Sequence, residues 1–248
     1  MTTKATLLGL SYSPWTIRAR WALKHHAVPH RYREHVIFLG EPALRWRARR
    51  LPGGRATVPL FTDGPLALGE SYAIIEHADR VGSGASLRAD EPSVRAWAER
   101  VEPALQEARV RVTRQILSDP EALTEAAASA TPRFAAPLFR PLAAMGARHV
   151  AKKYEFGVNG ETASARTEAA LDALRAAIGD GEYVEGGFSA ADLIAASFLQ
   201  GVRPIDGYIR LDPATRRAWT DDALADRYAD LLAWRDALFA KHWPAQAS

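Results

Sequence analysis

Cysteine is absent from all 248 residues. The chain therefore forms no disulfide and runs no thiol–disulfide exchange with sulfur of its own. Thiolate-ligated zinc and iron–sulfur clusters are excluded on the same ground. Long apolar runs are missing too. None approaches the roughly 18–20 residues that cross a bilayer. The stretch MTTKATLLGLSYS has too short an apolar core for a secretory signal. A strong charge of either sign is also lacking, with 32 Lys and Arg against 29 Asp and Glu, a formal net charge of +3. One basic cluster, Arg45, Arg47, Arg49 and Arg50, interleaves with Trp46 and Ala48 and reads as a solvated helix face. His25, His26, His30 and His35 cluster in sequence, but no carboxylate falls nearby at metal-site spacing. The expectation is a cytoplasmic protein with no nucleic acid, membrane or metal among its partners.

What is present is ordinary globular material: 48% hydrophobic and 25% charged residues, with length for one large domain or two modest ones. Residues 5–10, ATLLGL, read as a buried strand, and residues 14–25 as a helix. Residues 32–38 alternate loosely as a second strand, and residues 41–51 read as a second helix. Residues 58–62 and 66–68 flank Asp63-Gly64-Pro65, a hairpin signal. Residues 70–80 complete the order β-α-β-α-β-β-α. The small and polar residues 81–91 read as a linker, and Pro92 opens an almost wholly helical remainder. There Val94, Trp97, Val101, Leu105, Val112 and Ile116 recur at steps of three or four, apart from a gap at Ala108. Pro120, Pro132, Pro137 and Pro141 punctuate the following region. Further helices are expected over residues 162–178, 193–199 and 228–242. Trp97, Trp219 and Trp234 are expected in the core.

Three capping signals stand out. In LSYSPWT, Ser13 precedes Pro14, so the serine oxygen is placed to accept a first-turn amide, and proline costs nothing at the next position. In FSAADL, Ser189 and Asp192 form a capping box, with Phe188 as a staple. Gly69-Glu70-Ser71 opens the third helix, where outward-pointing amides favour a carboxylate.

Taken in chain order, SPWTIRAR, TVPLFTDG, ESYAIIEHAD and FSAADL resemble the glutathione S-transferase family, over essentially the whole chain. The resemblance implies an α+β fold: a thioredoxin-like domain (βαβαββα, residues 1–80) that binds glutathione, a linker (81–91) and an all-helical domain (92–248). It implies a homodimeric, detoxifying transferase that joins the glutathione thiolate to a small hydrophobic electrophile. Glutathione is then the co-substrate, without a metal. Ser13 falls where the theta-, zeta- and omega-like classes carry a catalytic serine or cysteine. Its hydroxyl is implied to donate to the glutathione sulfur. Val58 matches the residue whose backbone pairs with the cysteinyl part, and Pro59 the family's cis-proline. Ser71 is implied to bind the γ-glutamyl carboxylate and Glu70 its amino group. Arg55 falls near a family lysine or glutamine that touches glutathione, although LPGGRATVPL is longer than the usual spacing. Tyr12 competes with Ser13 for the sulfur. Tyr12, Trp15, Glu107 and Arg111 are expected around the electrophile pocket, and residues 134–156 to shape it idiosyncratically. The zeta-like SSC triplet is absent, so maleylacetoacetate isomerase is not supported, and the lack of cysteine argues against omega-like thioltransferase chemistry. A non-catalytic binding or scaffolding module of the same fold, or a glutathione-dependent peroxidase or isomerase, is the alternative.

Overall fold

A computed structural model gives the fold and describes residues 5–37, 39–51, 53–128, 131–153 and 160–243. It opens with β1 (Thr6–Gly9), α1 (Pro14–His25), β2 (Arg31–Glu34) and α2 (Glu41–Ala48). The hairpin β3 (Leu60–Asp63) and β4 (Leu66–Leu68) follows, then α3 (Ser71–Val81). The sheet order is β2-β1-β3-β4, with β1 parallel to β2 and antiparallel to β3, and β3 antiparallel to β4. This is the thioredoxin-like βαβαββα arrangement expected from the sequence.

Adjacent side chains on β1 point to opposite faces of the sheet. Leu7 joins Phe61 against α1 and α3, where Ile17, Trp21, Ile74 and Ile75 are almost wholly buried. Leu8 joins Leu60 on the other face, closed by Leu44 and Ala48 of α2. β2 is shorter than the alternation suggested. It pairs only along β1, and the His35 amide closes the ladder on the Gly9 carbonyl at 2.7 Å. Phe38 of the expected strand lies outside the described residues. β3 starts after Pro59, which has no amide to give to a ladder. The turn to β4 passes through Gly64 at φ +53, a conformation glycine adopts without penalty.

The remainder is helical, as expected. The 27-residue α4 (Pro92–Ser118) leads to α5 (Pro120–Ala128) and then α6 (Arg140–Lys153). Next come α7 (Gly160–Ile178), α8 (Ala190–Phe198), α9 (Pro213–Trp219), α10 (Asp222–Arg227) and α11 (Ala229–His242). The Ser189–Asp192 capping box forms as the sequence indicated: Ser189 Oγ accepts the Ala191 amide, and Asp192 Oδ2 accepts the Ser189 amide at 2.8 Å. Phe188 packs against the core cluster that holds Leu193 and stacks on His242 at 3.8 Å.

The connecting segment is tied down. Asp79 accepts the amides of Leu87 (2.8 Å) and Ala89 (3.0 Å), and the Tyr72 hydroxyl donates to the Ala89 carbonyl. One continuous core runs from Leu7 through Trp21 to Leu193 and Phe239, so the sheet and the helical half share apolar material. Trp21 reaches across the seam and donates its indole N–H to the His242 carbonyl at 3.0 Å.

Candidate active site

The turn after β1 brings Tyr12, Ser13 and Trp15 to one place. Gly9 makes this possible, because a side chain there would lie 2.4 Å from Thr16 of α1. Thr16 instead packs close and accepts the Leu10 amide with its hydroxyl. Ser13 stands at the cap position of α1, with its carbonyl accepting the Ile17 amide at 2.9 Å. Its hydroxyl does not cap. That corrects the expectation from sequence: backbone contacts alone close the helix, and the hydroxyl makes no hydrogen bond among the described residues.

Ser13 lines a cavity of about 450 Å³. One wall comes from the sheet half, with Tyr12, Ser13, Trp15 and Val58. The other comes from Arg109, Val112, Thr113 and Ile116 of α4, Phe139 and Leu142 before and within α6, and Leu211 and Trp219 around α9. Most of this lining is apolar, which suits an apolar guest. The segment singled out as idiosyncratic contributes Phe139, Leu142, Ala143, Gly146, Ala147 and Val150; residues 154–156 lie outside the described ones. Trp219, expected in the core, is only 7% exposed, yet its ring forms part of the cavity wall.

Glu107 and Arg111 do not line this cavity. Two positions along a helix turn the side chain by about 200°, so neither shares a face with Arg109 or Thr113. Glu107 meets Arg166 and Thr167 of α7. Arg111 clamps the carbonyls of Gly201 (2.6 Å), Trp219 and Thr220, a brace between helices. Arg55 is exposed and away from the cavity.

Glu70 and Ser71 also lie outside the cavity, at the start of α3. Glu70 takes the cap position with an extended backbone but makes no side-chain cap hydrogen bond. Ser71 is buried, and its hydroxyl accepts from Arg18 Nε at 2.8 Å. Arg18 also reaches Glu102 of α4 at 3.3 Å. Glu102 in turn receives the Trp15 indole N–H at 3.0 Å and Gln106 at 2.7 Å. The Arg109 guanidinium lies 4.0 Å over the Trp15 ring. A polar chain thus links the start of α3 to the cavity wall. Burial pulls the Arg18 pKa down, and Glu102 with Glu70 opposes that pull. Arg18 Nη1 is buried with no hydrogen-bond partner among the described residues. Arg18, Glu102 and Arg109 were not singled out from the sequence, because nothing local marks a residue whose partners lie more than 80 positions away.

The Val58-Pro59 peptide bond is cis, as the resemblance implied. Residues 7–84 match the family model described as glutathione S-transferase, N-terminal domain. These residues are similar to a glutathione S-transferase N-terminal domain. Solved structures carry the transferase fold along the whole chain. A glutathione S-transferase from Methylobacterium radiotolerans, in complex with glutathione sulfonate, is 16% identical with TM-score 0.57, covering 99% of this chain and 97% of its own. Rice GST1, in complex with glutathione, is 19% identical with TM-score 0.58, covering 98% and 93%. The beta-etherase LigF from a Sphingobium species is 16% identical with TM-score 0.62, covering 96% of each chain. At such identities these relatives support the transferase fold alone. No curated protein matches the sequence significantly.

Proposed function

We propose that this chain is a glutathione transferase whose Ser13 hydroxyl stabilises the glutathione thiolate for attack on an apolar electrophile. One observation carries the reading. Ser13, its hydroxyl unspent on capping, lines a largely apolar cavity at the N-terminus of α1. A free thiol has a pKa near 8.5, so little of it is nucleophilic thiolate at neutral pH. A hydroxyl donating to sulfur and the positive end of α1 both favour the anion. A shift of one to two units, about 1.4–2.7 kcal/mol, suffices.

The rest of the tripeptide has places in the same reading. Val58 offers its backbone beside Pro59 to the cysteinyl part. The open start of α3, with the Ser71 hydroxyl, receives the γ-glutamyl carboxylate, and Glu70 the amino group. Arg18 fixes the Ser71 hydroxyl, whose hydrogen stays available for that carboxylate. Arg55 lies on the exposed loop before Val58. The structures of glutathione-bound transferases with this fold favour the tripeptide as ligand. A homodimer, a cytoplasmic location and a detoxifying role belong to the same proposal.

The test is Ser13→Ala. Turnover should drop about 10- to 100-fold, in line with a lost pKa shift of one to two units. The ultraviolet thiolate absorbance of bound glutathione should vanish at neutral pH, while retention on immobilised glutathione persists. Unchanged turnover and absorbance in the variant remove Ser13 from the chemistry. Failure of the wild-type protein to bind glutathione favours a non-catalytic module.

A further inference from the structure

Residues 131–153 carry five basic residues, Arg133, Arg140, Arg148, Lys152 and Lys153, and no acidic one. A net charge of +3 over the whole chain hides this run, because the acids lie elsewhere. The same segment holds the two most exposed large apolar side chains among the described residues. Phe134 is 90% and Leu138 81% exposed, and Met145 on the helix behind them is half-exposed. The fold explains why nothing covers them. One side of α6, from Leu142 to Val150, lines the cavity. Pro141, Met145, Arg148 and Lys152 follow one another at steps of four, three and four, which places them on a single stripe. That stripe lies on the other side of the helix, and all four residues are exposed. Phe134 and Leu138 stand in the turns just before it.

Apolar side chains so exposed cost free energy in water, and a partner that covers them relieves it. The charges decide which partner. Arg133 pairs with Asp212 at 3.2 Å, and Arg140 Nε donates to Thr124 Oγ1 at 2.6 Å. Arg148 and Lys152 form no ion pair among the described residues. A second copy of the chain, set symmetrically on this stripe, would bring these cations against their own kind, with no acid in the segment to answer them. A peptide partner binds by filling a groove, whereas Phe134 and Leu138 protrude, and a bilayer surface receives protruding apolar side chains. We propose that this face rests on the surface of an anionic phospholipid bilayer. Phe134, Leu138 and Met145 enter the boundary between headgroups and acyl chains, and Arg148 and Lys152 meet the lipid phosphates. The contact is peripheral, since no helix among the described residues is long and apolar enough to cross a membrane. α2 abuts α6 where His149 Nε2 stands 3.7 Å from Glu41 Oε2. Its exposed Arg45, Trp46 and Arg49 add two cations and an aromatic ring beside the patch. The proposal stands apart from the conjugation reading, because it needs neither glutathione nor turnover.

Co-sedimentation with vesicles tests it. The probes are vesicles of phosphatidylcholine alone and vesicles with about one-third phosphatidylserine, in about 0.1 M salt. The wild type should bind the anionic vesicles about 10-fold or more tightly than the neutral ones, and lose that preference in about 0.5 M salt. Replacing both cations, Arg148→Glu with Lys152→Glu, should weaken anionic binding about 25-fold, or about 5-fold for each cation. Replacing both apolar residues, Phe134→Ser with Leu138→Ser, should weaken it about 10-fold or more. All four positions are exposed and outside the cavity, so both variants should melt as the wild type does. Binding to neither vesicle, equal binding to both, or variants that bind as the wild type does overturns the proposal. Two other results overturn it in favour of a different occupant. A dimer that ignores vesicles and dissociates on Phe134→Ser with Leu138→Ser gives the face to a second copy. Retention on immobilised polyglutamate without vesicle binding gives it to an acidic protein.

Discussion

The Asp192 carboxylate is wholly buried at the start of α8. It accepts the amides of Val184 (2.9 Å) and Ser189 (2.8 Å), and also the Ser189 hydroxyl. Burial nonetheless pushes its pKa from 3.8 up to about 6, more than these hydrogen bonds pull it down. The folded state then holds the proton more tightly than the unfolded chain does. Between 3.8 and about 6 the fold binds more protons, so stability falls as pH rises through that window. The stability advantage of wild type over Asp192→Asn should therefore shrink by up to about 3 kcal/mol across it, and level off above. Urea denaturation of both proteins at several pH values reads this directly, and a constant difference refutes it. The capping box was legible in sequence because its whole signal fits in FSAADL: the cap, the acid three residues on, and the apolar run behind them. The Ser13 side chain was not. Ser-Pro fixes where α1 begins, but the direction of the hydroxyl depends on the cavity that distant helices enclose.

At the scale of an element, α4 shows how far periodicity reaches. Its apolar residues recur as a helix demands, on one stripe that meets two different surroundings along its length. Val94, Trp97, Val101 and Leu105 enter the shared core, whereas Val112 and Ile116 face the cavity. A step of three or four marks a buried stripe and does not say whether protein or ligand covers it. Glu107 and Arg111 were therefore placed at the pocket by topology alone, one stripe away from Arg109 and Thr113. Two substitutions separate the stripes. Ile116→Trp fills the cavity and should raise KM for a bulky electrophile about 10-fold or more, leaving the affinity for glutathione little changed. Glu107→Gln weakens a pair to Arg166, whose side chain is 66% exposed, so stability should drop by less than about 1 kcal/mol and the KM of the electrophile should hold. Steady-state kinetics against each substrate, with thermal denaturation, distinguish them. A KM effect for Glu107→Gln that matched Ile116→Trp would return that residue to the pocket.

Across the whole molecule, α1 binds the two halves together. Its apolar side carries Trp21 into a cluster with Phe188, Phe239 and Trp243, and its polar side sends Trp15 and Arg18 to Glu102. The fold class and element order were visible in sequence because each half repeats local rules of period, cap and turn. The seam was not, since Glu102 on its own helix looks like any surface acid. Removing it leaves Arg18, 3% exposed, without its counter-charge and Trp15 without its acceptor. Breaking a fully buried pair in this way costs about 3–5 kcal/mol. The Glu102 side chain is 38% exposed, so water offsets part of that, and Glu102→Ala should lose about 2 kcal/mol. Arg18 also holds Ser71, so the same variant should bind glutathione more weakly even at temperatures where it is fully folded. Glu102→Gln keeps an acceptor for both partners and should lose less of each. Calorimetric melting and glutathione titration of the two variants test this link. If Glu102→Ala melts early but binds glutathione as the wild type does, the network serves the seam alone, and the Ser71 hydroxyl is held without it.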